Sequence, residues 1–242
     1  MSETVRRATE LIELVASGSR TLREISEHFE VHRSTVFRQL KTLESAGFLV
    51  HRDDGTWAIG MRLVAIGQQA VDELDLRRIA HPALRELHRH VGSTVHLAQL
   101  IGDGVYYVDK VEDTDGVRMS SRVGGQVDAA RTGVGTAILA HLPAPERTRL
   151  LDAEDARGTS ASHDRAALER RLGDIRRRGW SADDGEFEEF VNCVAVPVVS
   201  SGGRIHGAVS ISAIRAVRPL TELRGELGRL QTCAADIARQ LG

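Results

Sequence analysis

Two short amphipathic segments near the start of the chain, followed by a charged turn, form its most regular pattern of hydrophobic and polar residues. In both segments apolar residues recur at helical spacing, namely Leu22, Ile25 and Phe29 in the first and Val36, Leu40 and Leu43 in the second. This spacing predicts two helices, each with one buried stripe. Thr21-x-x-Glu24 predicts a capping box on the first helix, and Gly47 predicts a C-terminal cap on the second.

A β-hairpin is predicted directly after Gly47. Asp53-Asp54-Gly55 stands between the apolar stretches 48–52 and 56–59, and an Asp-Gly pair in that setting is a strong hairpin signal. Two helices with a tight joint, followed by a hairpin, are the outline of a winged helix-turn-helix. The order of the elements therefore predicts a DNA-binding domain.

The outer face of the second helix is the surface that DNA would meet. With Val36 pointing inward, a step of about 100° per residue places Arg38 and Lys41 on the opposite face. Arginine can bond guanine bidentately in the major groove, and serine and threonine can reach base edges or phosphates. The predicted DNA contacts are Arg33, Ser34, Thr35, Phe37, Arg38 and Lys41 on the helix, and Arg52 near the hairpin tip.

Net charge alone does not identify this domain as a DNA-binding one, because residues 1–60 carry eight Lys and Arg against nine Asp and Glu. Between His32 and Arg52, however, four basic residues accompany a single acid, Glu44. The basic charge is thus local, and modest non-specific affinity for DNA is expected. The alternative is a small helical domain with ordinary solvated charges.

Length and composition add further expectations. A chain of 242 residues whose first unit ends near residue 60 indicates two domains. It lacks an apolar run near the roughly 18 residues of a membrane span and lacks a secretion signal, which predicts a cytoplasmic protein with no membrane partner. Only two cysteines occur, Cys193 and Cys233, without a C-x-x-C pair. Neither a metal site nor a cofactor is expected.

A further apolar stripe follows the hairpin. Leu63, Ile66, Ala70 and Leu74 recur at helical spacing and predict a linker helix over 61–77. The stripe could pair with a second copy, which would set the distance between two reading helices on a palindromic operator. It could instead pack on the second domain of its own chain.

The period becomes strand-like after Ser93. Strands are predicted at 94–100, 105–111, 117–123, 193–199 and 205–213, and helices at 76–92, 132–140, 164–178 and 220–241. Strands joined mainly by hairpins, with helices before and after, argue for an antiparallel sheet flanked by helices. The predicted fold class is therefore α+β, with a sensor-like second domain.

Two features of this second domain suggest a small-molecule site. Ser210 and Ser212 share one face of a predicted strand, where their hydroxyls could donate to a carboxylate ligand; a solvent-facing pair fits the pattern equally well. Gly133-Val134-Gly135 precedes a helix, whose free N–H groups could hold an anion. The third glycine of a dinucleotide fingerprint is missing, which argues against a Rossmann site.

Five stretches are characteristic in residues and spacing: 21–25 (TLREI), 33–40 (RSTVFRQL), 43–49 (LESAGFL), 193–198 (CVAVPV) and 207–212 (GAVSIS). Through them nearly the whole chain resembles the IclR family of bacterial transcription regulators. The resemblance implies homodimers or homotetramers with a winged helix-turn-helix domain at 1–60, a linker helix at 61–77 and a GAF-like effector domain at 78–242.

The resemblance also implies an effector pocket. Carried over position by position, it is formed by Met119, Gly133, Val134, Asp183, Cys193, Ser210 and Ser212. The chain departs from the family at Thr136, where lysine is usual, and over 128–131, where a histidine-containing stretch is common. Arg131 is the residue expected to compensate as an anion partner.

These patterns together predict a ligand-responsive transcription regulator. The helix over 33–46 reads the major groove of a palindromic operator, and a small organic acid, a carboxylate, shifts the affinity for DNA. One rival is a DNA-tethered enzyme with Cys193 or Ser210 as nucleophile, although a G-x-S-x-G elbow is absent. The other rival is a DNA-binding module whose second domain only oligomerises. No enzymatic activity is expected.

Overall fold

A computed structural model of the chain describes residues 3–18, 20–73, 75–113, 119–158 and 164–241. The chain forms two compact units, Met1–Glu73 and Leu74–Gly242. Among the described residues, no helix combines the length and the apolar character needed to cross a membrane.

The first unit is a winged helix-turn-helix. Its elements are α1 (Glu3–Ala16), β1 (Arg20–Thr21), α2 (Leu22–Phe29), α3 (Arg33–Ser45), β2 (Leu49–His51), β3 (Thr56–Ile59) and α4 (Met61–Asp72). The strands form an antiparallel sheet in the order β1-β3-β2. The predicted stripe residues Ile25, Val36 and Leu40 are buried together with Trp57. Helix α1, which the pattern described above does not predict, adds Leu11 to this core.

The predicted caps form as the sequence indicates. Thr21 Oγ1 accepts a hydrogen bond from Glu24 N at 3.3 Å, and Glu24 Oε2 accepts one from Thr21 N at 2.7 Å. At the end of α3, Gly47 has φ 76°, the left-handed conformation that favours glycine. Phe48 N donates to Leu43 O at 2.9 Å and Gly47 N to Glu44 O at 2.8 Å. This pair of bonds is a Schellman motif, which ends the helix directly before the wing.

The second unit is a sheet covered by helices on both faces. Its elements are α5 (Asp75–Val91), β4 (Thr94–Ile101), β5 (Gly104–Val111), β6 (Gln126–Val127), α6 (Gly133–Leu139), α7 (Ala144–Arg157), α8 (Arg165–Arg178), β7 (Ser181–Asp184), β8 (Val191–Val199), β9 (Ile205–Ile214), α9 (Leu220–Arg224) and α10 (Leu227–Leu241). All strand pairs are antiparallel, in the order β6-β5-β4-β9-β8-β7. One face packs against α5 and α10, and the other against α6, α7 and α8.

Three predicted elements differ from the structure. The linker helix predicted over 61–77 ends at Asp72, and the next helix begins at Asp75. The predicted strand at 117–123 is wrong over 119–123, while residues 117–118 lie outside the described residues. The strand beside β5 is β6 instead, because a turn at Gly124 and Gly125 brings the chain back to Tyr107 only there. The helix predicted over 220–241 is divided into α9 and α10, since the chain turns at Gly225.

Candidate functional site

The outer face of α3 carries the predicted DNA contacts. Arg33, Ser34, Phe37, Arg38 and Lys41 are exposed, and Thr35 is half-buried. At the N-terminus of the helix, His32 Nδ1 accepts a hydrogen bond from Ser34 N at 3.3 Å and lies 2.8 Å from Ser34 Oγ. The histidine therefore caps α3 and orients one predicted contact.

The basic side chains on this face differ in their partners. Within the part of the chain that the structure describes, the guanidinium groups of Arg33 and Arg38 form neither a hydrogen bond nor an ion pair. Lys41 Nζ donates to Glu44 Oε2 at 2.7 Å and lies 5.8 Å from the Phe37 ring centroid. The two arginines thus present more unneutralised charge than the lysine.

The wing presents Arg52 at the end of β2. Arg52 is exposed, and its backbone N–H donates to Thr56 O at 2.8 Å. Gly55 closes the turn with φ 79°, and Asp54 Oδ1 accepts a bond from Thr56 N at 2.9 Å. These bonds fix the hairpin tip, so that the Arg52 side chain extends from an ordered turn.

The linker-like helix α4 exposes an apolar stripe. None of residues 61–71 is buried: within the predicted stripe, Leu63 is half-buried, Ile66 is 48% exposed and Ala70 is exposed, while Leu74 lies outside the described residues. Apolar side chains at helical spacing with this much exposure commonly mark a contact surface.

All the residues of the predicted effector pocket line one cavity of about 260 Å³ in the second unit: Met119, Gly133, Val134, Asp183, Cys193, Ser210 and Ser212. The cavity lies where α6 begins, against β7, β8 and β9. The strand register explains the grouping, because Asp183 pairs with Cys193 and Cys193 pairs with Ser212. Side chains of directly paired residues point to the same face of a sheet.

Gly133 is required where α6 meets the sheet. A Cβ atom at this position would lie 2.5 Å from Cys193 Sγ, far inside van der Waals contact. The backbone is also held there, since Ser181 Oγ donates to Gly133 O at 2.6 Å and Thr132 Oγ1 accepts from Gly135 N at 3.2 Å. A side chain at Gly133 would therefore displace the cavity wall.

Burial raises the pKa values of acidic groups that line the cavity. Burial, together with the nearby Asp183 carboxyl, raises the pKa of the Cys193 thiol to about 12. Burial also raises the pKa of Asp183, although Glu186 N donates to its Oδ1 at 2.7 Å. A thiol with that pKa is a poor nucleophile, which disfavours Cys193 as the nucleophile of a DNA-tethered enzyme.

Further lining residues are not predicted from the sequence, among them His96, Tyr107 and Ser121. His96 Nε2 lies 2.8 Å from Ser121 Oγ, and its Nδ1 lies 3.3 Å from Ser212 Oγ. Burial lowers the pKa of His96 to about 3, so the ring is neutral, with one donor and one acceptor. The alternation of side chains along β4 places His96 on one face of the sheet. Its partner Ser212 on β9 is 116 residues away in sequence, so local spacing does not reveal this contact.

The predicted anion partner Arg131 does not line the cavity, and this expectation is wrong. Its guanidinium group donates to Glu186 O and lies 5.7 Å from the Phe187 ring centroid. Cation–π attraction holds it against the loop that follows β7. The arginine that lines the cavity is Arg122, which is exposed. Thr136 is buried and donates to Thr132 O at 2.9 Å.

Comparisons with known proteins agree with this architecture. The family model described as the IclR helix-turn-helix domain matches residues 4–53, and the model described as the bacterial transcriptional regulator IclR C-terminal matches residues 68–239. The HTH-type transcriptional regulator XynR of Escherichia coli (strain K12) is 31% identical over 99% of this chain and 97% of its own length.

Two solved structures extend the likeness over the full fold. The IclR protein of Thermotoga maritima superposes with a TM-score of 0.76 at 29% identity, covering 99% of this chain and 98% of that one. An IclR homolog of Microbacterium hydrocarbonoxydans, complexed with 4-hydroxybenzoate, gives a TM-score of 0.79 at 22% identity, covering 99% of both chains. The relatives are transcriptional regulators rather than enzymes. The chain belongs to the IclR family of DNA-binding bacterial transcriptional regulators.

Proposed function

We propose that this regulator reads its operator with the outer face of α3 and that a small organic acid in the cavity of the second unit changes its affinity for DNA. The observation that carries the first half is the pair of unneutralised arginines, Arg33 and Arg38, on an exposed helix face. A helix of this size fits the major groove, where arginine bonds O6 and N7 of guanine. Arg52 supports it by a contact to the backbone or minor groove.

Replacing Arg38 with alanine should weaken specific operator binding by about 1 to 3 kcal/mol, because a bidentate contact to a base is lost. The operator is first located by footprinting DNA upstream of the neighbouring genes, and affinity is measured by gel-shift titration. Arg23→Ala is the matched control: Arg23 lies on α2 and pairs with Glu27 at 2.7 Å, so its removal should change affinity little. Equal affinities of wild type and Arg38→Ala would remove Arg38 from the reading surface.

Two copies of the chain are proposed to bind together. The apolar stripe of α4, at Leu63, Ile66 and Ala70, is accessible in the single chain, and a second α4 offers the matching surface. A twofold dimer places two α3 helices on half-sites about one helical turn apart, which suits a palindromic operator.

The cavity lining favours a small carboxylate. Ser210 and Ser212 offer hydroxyl donors, and Arg122 offers the cation. Tyr107, Phe187 and Val134 supply apolar surface, while Asp183 can pair with a hydroxyl group of the ligand. One structural relative is bound to 4-hydroxybenzoate, a ligand with both a carboxylate and a hydroxyl group, which supports this class of effector. An effector that binds the two DNA-binding geometries unequally would shift affinity by about 1 to 3 kcal/mol.

Thermal-shift screening tests the effector class. Acetate, pyruvate, succinate, benzoate and 4-hydroxybenzoate form the panel, and at least one should raise the melting temperature, because a ligand at 100 times its Kd stabilises a protein by about 2.7 kcal/mol. Gly133→Ala should weaken that binding at least about tenfold, since the new Cβ displaces Cys193. No shift with any acid would favour a second domain that only oligomerises, and turnover of the acid would favour an enzyme.

Gly173→Ala is the matched control for the cavity. Gly173 lies on α8, where a Cβ would meet only the flexible end of Arg177 at 3.6 Å, an ordinary contact. The control should keep the full shift of the wild type. Equal binding by Gly133→Ala and Gly173→Ala would place the acid elsewhere.

A further inference from the structure

We propose that Asp109 and Lys110, neighbours on β5, form a strut that links the rim of the effector cavity, residues 119–125, to the first turns of α5. A movement of the rim would then be accompanied by a movement of those turns. The two side chains leave the strand on opposite faces, as strand geometry requires. Lys110 pairs with His96 of the cavity, whereas Asp109 pairs with Leu97 of the core under α5 and α10.

On the cavity face, Lys110 holds the rim segment. Its Nζ donates to Met119 O at 3.0 Å and to Ser121 O at 2.9 Å, and its side chain is only 10% exposed. Met119 and Ser121 both line the cavity. A movement of the rim therefore pulls on a buried ammonium group that also pairs with Glu112 at 2.8 Å.

On the opposite face, Asp109 holds α5. Its carboxylate is 2% exposed, lies 2.6 Å from His81 Nδ1 and lies 3.5 Å from Arg77 Nε. Its Oδ1 also accepts a hydrogen bond from Lys110 N at 3.0 Å. Because a buried carboxylate is costly without partners, a shift of β5 at Lys110 forces these contacts to follow.

The anchored part of α5 is suited to move as a piece. Pro82 lies inside the helix, where it removes the hydrogen bond to residue 78 and loosens the link to the following turns. Arg77 and His81, one turn apart, both lie before it. This piece also begins where the chain enters the second unit, since the boundary falls between residues 73 and 74.

The strut thus transmits the effect of ligand binding from the cavity to α5, and in this respect the inference rests on the proposed function. A rim that closes on an acid moves the carbonyl groups held by Lys110, and Asp109 passes this movement to the first turns of α5, at the start of the second unit. Asp113, by contrast, contacts α5 at His88 with 3.2 Å and is exposed. Like Asp109, it pairs a carboxylate with a histidine of α5, but this histidine lies after Pro82, outside the strut.

Hydrogen-exchange mass spectrometry of the full chain, without effector or DNA, tests the strut. Lys110→Met should raise exchange not only at 119–125 but also at 77–81 on the other face of the sheet, by about fivefold or more. Asp109→Asn should also raise exchange on both faces of the sheet, in α5 next to the substitution and at the rim on the opposite face. Asp113→Asn, the matched control, should leave both segments unchanged.

Exchange confined to the mutated side in both variants would overturn the strut, since a purely local structural role predicts that result. If Asp109→Asn does not fold, His81→Asn replaces it, because His81 is 41% exposed and its loss leaves the buried carboxylate with its other contacts. An unchanged rim in His81→Asn would then contradict the proposal. Failure of the carboxylate screen would not affect this readout, so the two proposals fail separately.

Discussion

Trp57→Ala should destabilise the DNA-binding unit by about 3 to 5 kcal/mol and abolish operator binding, although Trp57 is not itself a predicted DNA contact. Trp57 is 1% exposed and is among the largest fully buried side chains. It lies on β3, the central strand of the wing sheet, with its ring centroid 4.6 Å from that of His51. A unit of this size commonly has a total stability of only about 5 to 10 kcal/mol. Loss of the Trp57 side chain therefore removes a large part of the free energy that keeps the unit folded.

Urea unfolding followed by circular dichroism should show this loss as a separate early transition, with the second unit unfolding as in wild type. Two units are not expected to unfold as one two-state system. Val50→Ala is the control on the same sheet, because Val50 is 43% exposed and should cost less than about 0.5 kcal/mol. A Trp57→Ala curve that superposes on wild type would show that the wing core does not hold this unit together.

Glu154→Gln should make the protein more stable than wild type at pH 8 by about 2 to 3 kcal/mol, with no such gain at pH 4. Glu154 is 1% exposed, and burial raises the pKa of its carboxyl from 4.5 to about 7. The folded state therefore binds the proton more tightly than the unfolded state. Its contribution to stability is fully present below pH 4.5 and is lost as pH rises towards 7. Glutamine remains neutral throughout.

Denaturant unfolding between pH 4 and 8 measures this difference. Glu154 Oε1 accepts a bond from Ala129 N at 3.2 Å, a contact that glutamine can keep through its carbonyl oxygen. Glu146→Gln, an exposed change on the same helix α7, should leave the pH profile of wild type unaltered. Parallel profiles for wild type and Glu154→Gln would show that this carboxyl is charged in the fold at neutral pH.

The sequence predicts the local elements well because their signals are short-range. The Thr21 capping box, the stripe Val36, Leu40 and Leu43, and the Asp-Gly turn each depend on residues a few positions apart. Helix α1 has a comparable stripe, but its buried residues, Leu11 and Val15, gain partners only from later elements.

The cavity shows where sequence reasoning stops. The resemblance to the family names seven lining residues, yet the contact of Ser212 with His96 depends on the pairing of β4 with β9, which joins distant strands and is set by the whole fold. The prediction for Arg131 fails for a similar reason. Phe187 and Glu186, which are distant in sequence, determine where its side chain points. Local spacing carries no information on either contact.

Methylation interference on the footprinted operator tests the central claim most directly, since methylation of guanine N7 blocks major-groove contacts. Wild type should fail to bind fragments methylated at particular guanines in each half-site. With Arg38→Ala, interference at one of those guanines should disappear while the others remain, because only the contact made by Arg38 is missing. An identical interference pattern for both proteins, or interference confined to minor-groove positions, would contradict the assignment of the outer face of α3 as the surface that reads DNA.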